Sequence, residues 1–255
     1  MIEAIVLAGS LNDNKLREVS TQPYEALIPL AGKPMVEYVL AALQKSPSIS
    51  RIIVVGPAVL RDLQYDKVTV VEATNLSVMD NFRLGLEHIS GNELVLVATS
   101  DIPLLTPVAV EDFIGKSLNQ EGELFYSIVN KESNDASFPD VQRTYVKLKE
   151  GTFTGGNLFL FHPGIVEKCW SFVERMVKLR KKPVQMCALL GWLFIVKLLL
   201  GQLTIADLEQ RVGDLLQIRA RAVISPYPEV GIDVDKPADY QLMEKVLSTK
   251  HQSEI

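Results

Sequence analysis

Cysteine is scarce in this chain of 255 residues. Only Cys169 and Cys187 are present, both inside apolar helical patterns, which argues against a disulfide framework or a thiolate metal site. Positive charge is also in deficit, with 26 Lys and Arg against 31 Asp and Glu and a net charge of -5. That argues against broad nucleic-acid binding and leaves room for a local basic pocket suited to a phosphorylated small molecule. The start, MIEAIVLAG, has no basic stretch ahead of its apolar run and no obvious cleavage site, so it reads as a first strand, with a cytoplasmic location as the default. No linker is visible. The expectation is one domain over 1–255, and the balance of 22% charged and 47% hydrophobic residues is that of a soluble fold with a substantial core. A membrane span is also unsupported: the most apolar stretch, 184–200, holds Gln185 and Lys197 among its 17 positions, where a span needs about 20 apolar residues. A buried or partner-covered helix is expected there, with an interfacial helix beside the basic KLRKK of 178–182 as the alternative.

What is there centres on residues 93–107, ELVLVATSDIPLLTP. The continuous apolar run 94–98 fits a central parallel strand buried on both faces. Ser100 and Asp101 fall where that strand ends and Pro103 stops its continuation. Open α/β sheets bind ligands at the carboxyl ends of their strands, so a carboxylate at Asp101 can hold a divalent cation against a phosphate. The alternative is that Ser-Asp is only a turn or helix cap.

Around this strand the chain alternates. Residues 4–8 read as a strand feeding a glycine loop at Gly9-Ser10, with Lys15 and Arg17 as phosphate contacts. Gly32-Lys33-Pro34 precedes a helical apolar pattern at 35–43, placing Lys33 at a helix start, where exposed N–H groups favour anions. Strands are expected at 51–56 and 68–72 and a short helix at 59–63. A helix at 77–89 opens with Ser77 and Asp80 spaced like a capping box. Asn75 and Ser77, just after a strand, are candidates for ribose or base contact, although capping alone explains Ser77. A helix at 107–118 and a strand at 124–129 follow, then a polar connection at 130–142. A hairpin is expected from 144–148 and 156–161, where Gly155-Gly156 marks either a bulge or room for an acceptor. Residues 163–216 look helical throughout, and a strand at 219–224 leads to GIDVDKP at 231–237. In an extended segment Asp233 and Asp235 share one side and Ile232 and Val234 the other. Asp235 alone could be a helix cap; the pair points to a metal site.

Four blocks, LAG near the start, LIPLAGKPMVEYVL, TSDIPLL and IDVDKPADY, together resemble the nucleotidyltransferases similar to molybdenum-cofactor guanylyltransferases. The resemblance implies a Rossmann-like three-layer α/β fold, that of the nucleotide-diphospho-sugar transferases, with 163–216 as a helical insertion. It implies a Mg²⁺-dependent enzyme that moves a nucleoside monophosphate from a nucleoside triphosphate to a small-molecule acceptor and releases pyrophosphate. Leu7, Ala8, Gly9 and Ser10 would hold base and phosphates, Arg17 and Asn75 would assist, and Asp101, Asp233 and Asp235 would hold the metal. Lys33, Asp101 and Asp235 would be the catalytic set. A homodimer is compatible with the apolar segment. Two departures stand out: Arg17 matches the loop arginine of the family only loosely, and PYEAL puts Glu25 where the family has a lysine. Glu25 leaves open a nucleotide-binding protein without turnover, and the fold also serves glycosyltransferases.

Overall fold

Aliphatic and β-branched runs become the strands of a mixed sheet. The computed structural model describes residues 1–13, 15–73, 77–91, 93–179 and 191–253. In chain order these form β1 (Ile2–Leu7), a small hairpin of β2 (Pro29–Leu30) and β3 (Lys33–Pro34), α1 (Met35–Lys45), β4 (Ile49–Gly56) and β5 (Val68–Glu72). Then come α2 (Val78–Leu86), β6 (Val95–Thr99), α3 (Pro107–Leu118), β7 (Leu124–Asn130), α4 (Lys131–Ser137), β8 (Val146–Leu148) and β9 (Gly151–Phe161). Four further helices and a last strand complete the order: α5 (Val166–Leu179), α6 (Trp192–Leu199), α7 (Ile205–Leu216), β10 (Ala220–Ser225) and α8 (Pro237–Ser253).

The main sheet runs β10-β7-β9-β6-β1-β4-β5, with β8 beside β9. β1 pairs in parallel with β4 and β6, β4 with β5, and β7 with β10, whereas β9 is antiparallel to β6, β7 and β8. On that seven-strand path, among the described residues, β9 alone therefore runs backwards. One edge consequently gathers the carboxyl ends of the parallel strands and the beginning of β9, and the candidate elements lie along it.

Three apolar clusters hold the frame. On one face α1 and α3 bury Leu40, Leu43, Val110 and Phe113 against Ile52, Val54, Leu96 and Leu158. α1 buries six of its 11 residues, each large side chain contributing about 1.5–3 kcal/mol. On the other face Ile5, Ile53, Val97 and Phe161 pack against α2, α5 and α7. The third cluster joins Leu16, Ile28, Leu30 and Met35 to Ile232, Val234, Met243 and Leu247, and so ties the 231–236 segment and α8 to the small hairpin.

Several expectations shift. The polar connection at 130–142 contains α4, capped by Asn130, whose side chain accepts from the Glu132 N–H; a seven-residue helix is too short to show an apolar period. The returning strand starts at Gly151 rather than 156. Lys33 lies in β3, two residues before α1, so it belongs to a hairpin and not to the first helical turn. Of the apolar stretch 184–200, residues 184–190 lie outside the described residues; the remainder contains α6. Phe194 and Leu198 of α6 pack on Leu148, Phe153 and Leu203, while Leu199 and Leu200 are 80% and 64% exposed. Among the described residues no helix is long and apolar enough to cross a membrane.

Candidate active site

β6 is buried from Val95 to Ala98 and delivers Ser100, itself buried, and Asp101 to the functional edge. The cap explanation for this pair fails, because Thr106 caps α3, its hydroxyl accepting from the Ala109 N–H at 3.2 Å. The Asp101 carbonyl instead accepts from the Val234 N–H at 2.9 Å, which locks the 233–235 segment beside β6. Ile232 and Val234 are buried in the third cluster, so the alternation of extended backbone turns Asp233 and Asp235 the other way. Carboxylate oxygens of Asp101, Asp233 and Asp235 lie within 4.8 Å of one another. Asp239, not Asp235, closes the turn into α8 by accepting from the Asp235 N–H at 3.2 Å, which leaves the Asp235 carboxylate exposed.

Asp101 Oδ1 and the hydroxyl of Thr99 are buried without a hydrogen-bond partner among the described residues. Burial pushes the Asp101 carboxyl above the usual carboxylate range; the nearby Thr99 hydroxyl opposes this and the Asp235 charge adds to it. Asp233 is better compensated: Arg143 pairs with it, and the two side chains are only 14% and 15% exposed. Such a pair recovers its desolvation cost only through close contact, which is what holds the loop before β8 against the acidic cluster. Arg143 also opposes the upward shift that burial imposes on the Tyr126 phenol. Tyr126 stacks on Phe159 with ring centroids 4.7 Å apart.

The glycines resolve differently at the two loops. Tyr126 Oη and Ser127 Oγ occupy the positions that Cβ atoms at Gly155 and Gly156 would take, and the β7–β9 register shifts here. Close packing at an irregular pairing therefore explains this pair, and the room for an acceptor is filled. At Gly9 a Cβ would come within 2.5 Å of Asn81 Nδ2 and 2.9 Å of Ala73 Cβ, so glycine is needed for the loop to lie against α2.

Along this loop the Ala8 N–H donates to Val55 C=O at 2.8 Å, continuing the β1–β4 ladder, and the Glu25 N–H donates to Ser10 C=O at 3.0 Å. Leu7 sends its side chain into the α2–α5 apolar cluster, leaving only its backbone to the edge. Glu25 falls within reach of the acidic cluster. Burial raises its pKa, a Ser10 hydrogen bond opposes this, and the charges of Asp101, Asp235 and Asp13 raise it further. The cationic candidates are less engaged. Arg17 is exposed and its Nε donates to Asn12 C=O at 2.6 Å, bracing the loop; Lys33 is exposed and forms no ion pair among the described residues. Asn75 lies outside the described residues. Arg143 and Asn81 were not found from the sequence, because neither falls in a motif or an apolar period; only Arg143, just past the mostly polar connection at 130–142, carries any signal.

The model of the MobA-like NTP transferase domain matches residues 4–216. The chain belongs to this family. Comparison with curated proteins returns no match. Among solved structures, a hypothetical transferase from Thermus thermophilus is 41% identical with a TM-score of 0.83, over 94% of this chain and 99% of that one. The MobA-like frame extends to more distant folds. The 2-C-methyl-D-erythritol 4-phosphate cytidylyltransferase of Thermus thermophilus is 14% identical with a TM-score of 0.57, over 96% of this chain and 98% of that one. A CMP:2-keto-3-deoxy-manno-octonic acid synthetase complexed with CTP is 13% identical with a TM-score of 0.62, over 98% of each chain. At those identities the likeness establishes a shared fold of the nucleotide-sugar transferase type.

Proposed function

We propose that this chain, read as one nucleotidyltransferase-like unit with 163–216 as a helical insertion, transfers a nucleoside monophosphate from a nucleoside triphosphate to a small-molecule acceptor and releases pyrophosphate. The observation that carries the reading is the convergence of Asp101, Asp233 and Asp235, beside the Gly9 loop, at the carboxyl edge of the sheet. The donor set fits a hard divalent cation: all ligands are oxygen, one of them a buried Asp101 oxygen unpartnered among the described residues. Their mutual distances of up to 4.8 Å compare with a span of roughly 4–5 Å for two opposed metal–oxygen bonds. Mg²⁺ bound there would neutralise charge on the reacting phosphate and favour an in-line geometry.

The residues themselves do the positioning. Asp101 and Asp235 present carboxylates from two segments tied by one backbone hydrogen bond, so their spacing is fixed before any ligand arrives. Leu7, Ala8, Gly9 and Ser10 offer backbone groups to the nucleotide, and Gly9 permits close approach. Lys33 and Arg17, both exposed, supply cationic charge around the site without being held to it. Arg143 links Asp233 to an adjacent cavity of about 540 Å³ lined by Lys131, Gln142 and Tyr145, which is where the acceptor would stand. Attack by the acceptor oxygen on the α-phosphorus forms one P–O bond as the bond to pyrophosphate breaks, and no covalent enzyme intermediate is required.

Glu25 favours a second reading, a nucleotide-binding protein without turnover, since a carboxylate close enough to Asp101 and Asp235 to feel their charges adds to the repulsion of a triphosphate. Pyrophosphate release with each of CTP, UTP, ATP and GTP, across a panel of phosphorylated and unphosphorylated acceptors, separates the two. Release that requires both a triphosphate and an acceptor supports transfer. Saturable triphosphate binding with no release under any pairing supports binding alone.

A further inference from the structure

One guanidinium belongs both to the acidic cluster and to the cavity where the acceptor would stand. Arg143, on the loop before β8, pairs through Nη1 with Asp233 Oδ1 and is 15% exposed, and it also lines the cavity of about 540 Å³. Among the described residues no other ion pair reaches Asp101, Asp233 or Asp235. Three carboxylates whose oxygens lie within 4.8 Å of one another thus share a single paired cation. Its influence extends past its own partner. Burial raises the Asp101 carboxyl, and the Arg143 charge works against that rise.

The other polar groups on the cavity wall are fixed without help from the cluster. Lys131 pairs with Asp135 of its own helix, with Nζ 5.2 Å from the centre of the Tyr145 ring, and Tyr145 Oη accepts from Nδ2 of the fully buried Asn134 at 2.7 Å. Arg143 differs, because its partner has a second use. A divalent cation on the cluster takes up carboxylate oxygens of Asp233 and repels the guanidinium beside it. A nearly buried ion pair recovers the desolvation of both charges only through close contact. Metal that loosens the contact therefore leaves a guanidinium on the cavity wall in need of a new partner, and its planar fork suits the oxygens of a phosphate or carboxylate.

We infer that Arg143 is an exchangeable counterion: it holds Asp233 in the metal-free protein and passes to an oxyanion of the acceptor when metal occupies the cluster. This rests on the nucleotidyltransferase reading, to which it adds a coupling between two of the ligands. Metal takes the aspartate and the acceptor takes the arginine, so each ligand provides a partner for the charge that the other would leave unpaired. Their binding is then mutually favourable, and linkage makes the effect reciprocal. Without metal, Arg143 stays on Asp233 and an anionic acceptor meets a cavity whose two cations are both already paired.

The test titrates the full chain with Mg²⁺ in calorimetry, without nucleotide, for wild type, Arg143→Gln and the charge-conserving Arg143→Lys. Arg143→Gln is expected to bind Mg²⁺ roughly tenfold more tightly because the competing cation is gone, with Arg143→Lys within about threefold of wild type. Mg²⁺ should accordingly raise the melting temperature of Arg143→Gln more than that of wild type. Modification of Arg143 by phenylglyoxal, read by mass spectrometry on the wild-type chain, follows the exchange itself. It should be slow without metal, faster with Mg²⁺, and slowed again by inorganic phosphate only when Mg²⁺ is present; in Asp233→Asn it should be fast without metal. Equal or weaker Mg²⁺ binding by Arg143→Gln would mean that the pair only braces the loop, and a phenylglyoxal rate that Mg²⁺ leaves unchanged would mean that Asp233 never releases it. Either result overturns the exchange and leaves the nucleotidyltransferase reading to pyrophosphate release. Absence of Mg²⁺ binding in all three proteins overturns the exchange and the metal site together.

Discussion

Two aspartates in this chain are set in opposite ways. Asp207, in the capping box of α7, is held by charge and dipole: Lys197 Nζ donates to it at 2.5 Å, and the Thr204 N–H at 3.0 Å. The Lys197 hydrogen bond, with those of Thr204, depresses its pKa to about 2. Asp101, at the end of β6, sits among other acids with Oδ1 buried and unpartnered among the described residues, and burial drives its pKa upward. The helical segment thus spends its charges on its own local stability. The strand edge accumulates charge that the fold alone does not satisfy, as expected where ligand binding rather than stability selects the residue.

The sharpest way to break this contrast is to remove the strand-edge charge. Asp101→Asn and Asp235→Asn are each expected to reduce Mg²⁺-dependent pyrophosphate release by about 10²–10³-fold, the scale for losing one preorganised electrostatic group, without lowering the melting temperature. Retained metal dependence in both variants would show that the cluster is not the metal site. Next in size is Glu25→Gln, which should tighten metal-free triphosphate binding roughly tenfold by removing one like charge. Calorimetry showing unchanged affinity would remove Glu25 from the electrostatics of the site.

The pH dependence of stability then separates the two regions by sign. Asp101 and Glu25 hold protons in the folded state that the unfolded chain has already released. Their contribution therefore makes metal-free stability fall as pH rises from about 4 through their raised folded pKa values, and it is flat above them. Asp207 works the other way: its stabilisation is present above its unfolded value of 3.8 and is lost as pH falls toward its folded value of about 2. Denaturant melts from acid to neutral pH should show the first slope weakened by Asp101→Asn and by Glu25→Gln, and the second weakened by Asp207→Asn. Persistence of the first slope in Asp101→Asn and Glu25→Gln alike would place its origin elsewhere. The smallest effect is expected at Leu199 and Leu200, 80% and 64% exposed: serine at either position should change stability by less than about 0.5 kcal/mol. Sedimentation at rising concentration tests whether these side chains matter instead for self-association.

Much of the frame was legible because its elements are periodic. The helix at 107–118, the helical character of 163–216, the capping box at Ser77, and the alternation that turns Asp233 and Asp235 away from Ile232 and Val234 all follow from local spacing. α4 escaped because seven residues, all polar but Ala136, carry no period, and Gly155-Gly156 proved ambiguous because a sequence does not tell which side chain, here Tyr126 or Ser127, fills the space above a glycine. The depth of burial was equally hidden. α1 buries six residues of 11, while α5, with a clear apolar stripe, fully buries only Cys169 of 14, because a stripe specifies a face and not how closely a partner covers it.

By itself the sequence determined the alternating α/β order and the acids at Asp101, Asp233 and Asp235, since each is a matter of residue type and local period, while Glu25 stood out only against the family pattern that PYEAL resembles. Only the tertiary structure decided that the charges of Asp101 and Asp235 act on Glu25, that Arg143 crosses 90 positions to pair with Asp233, and that Asn81 abuts Gly9. Those relations join segments far apart in the chain, and pairing of distant charges is set by how the sheet orders its strands, a property that no local spacing encodes.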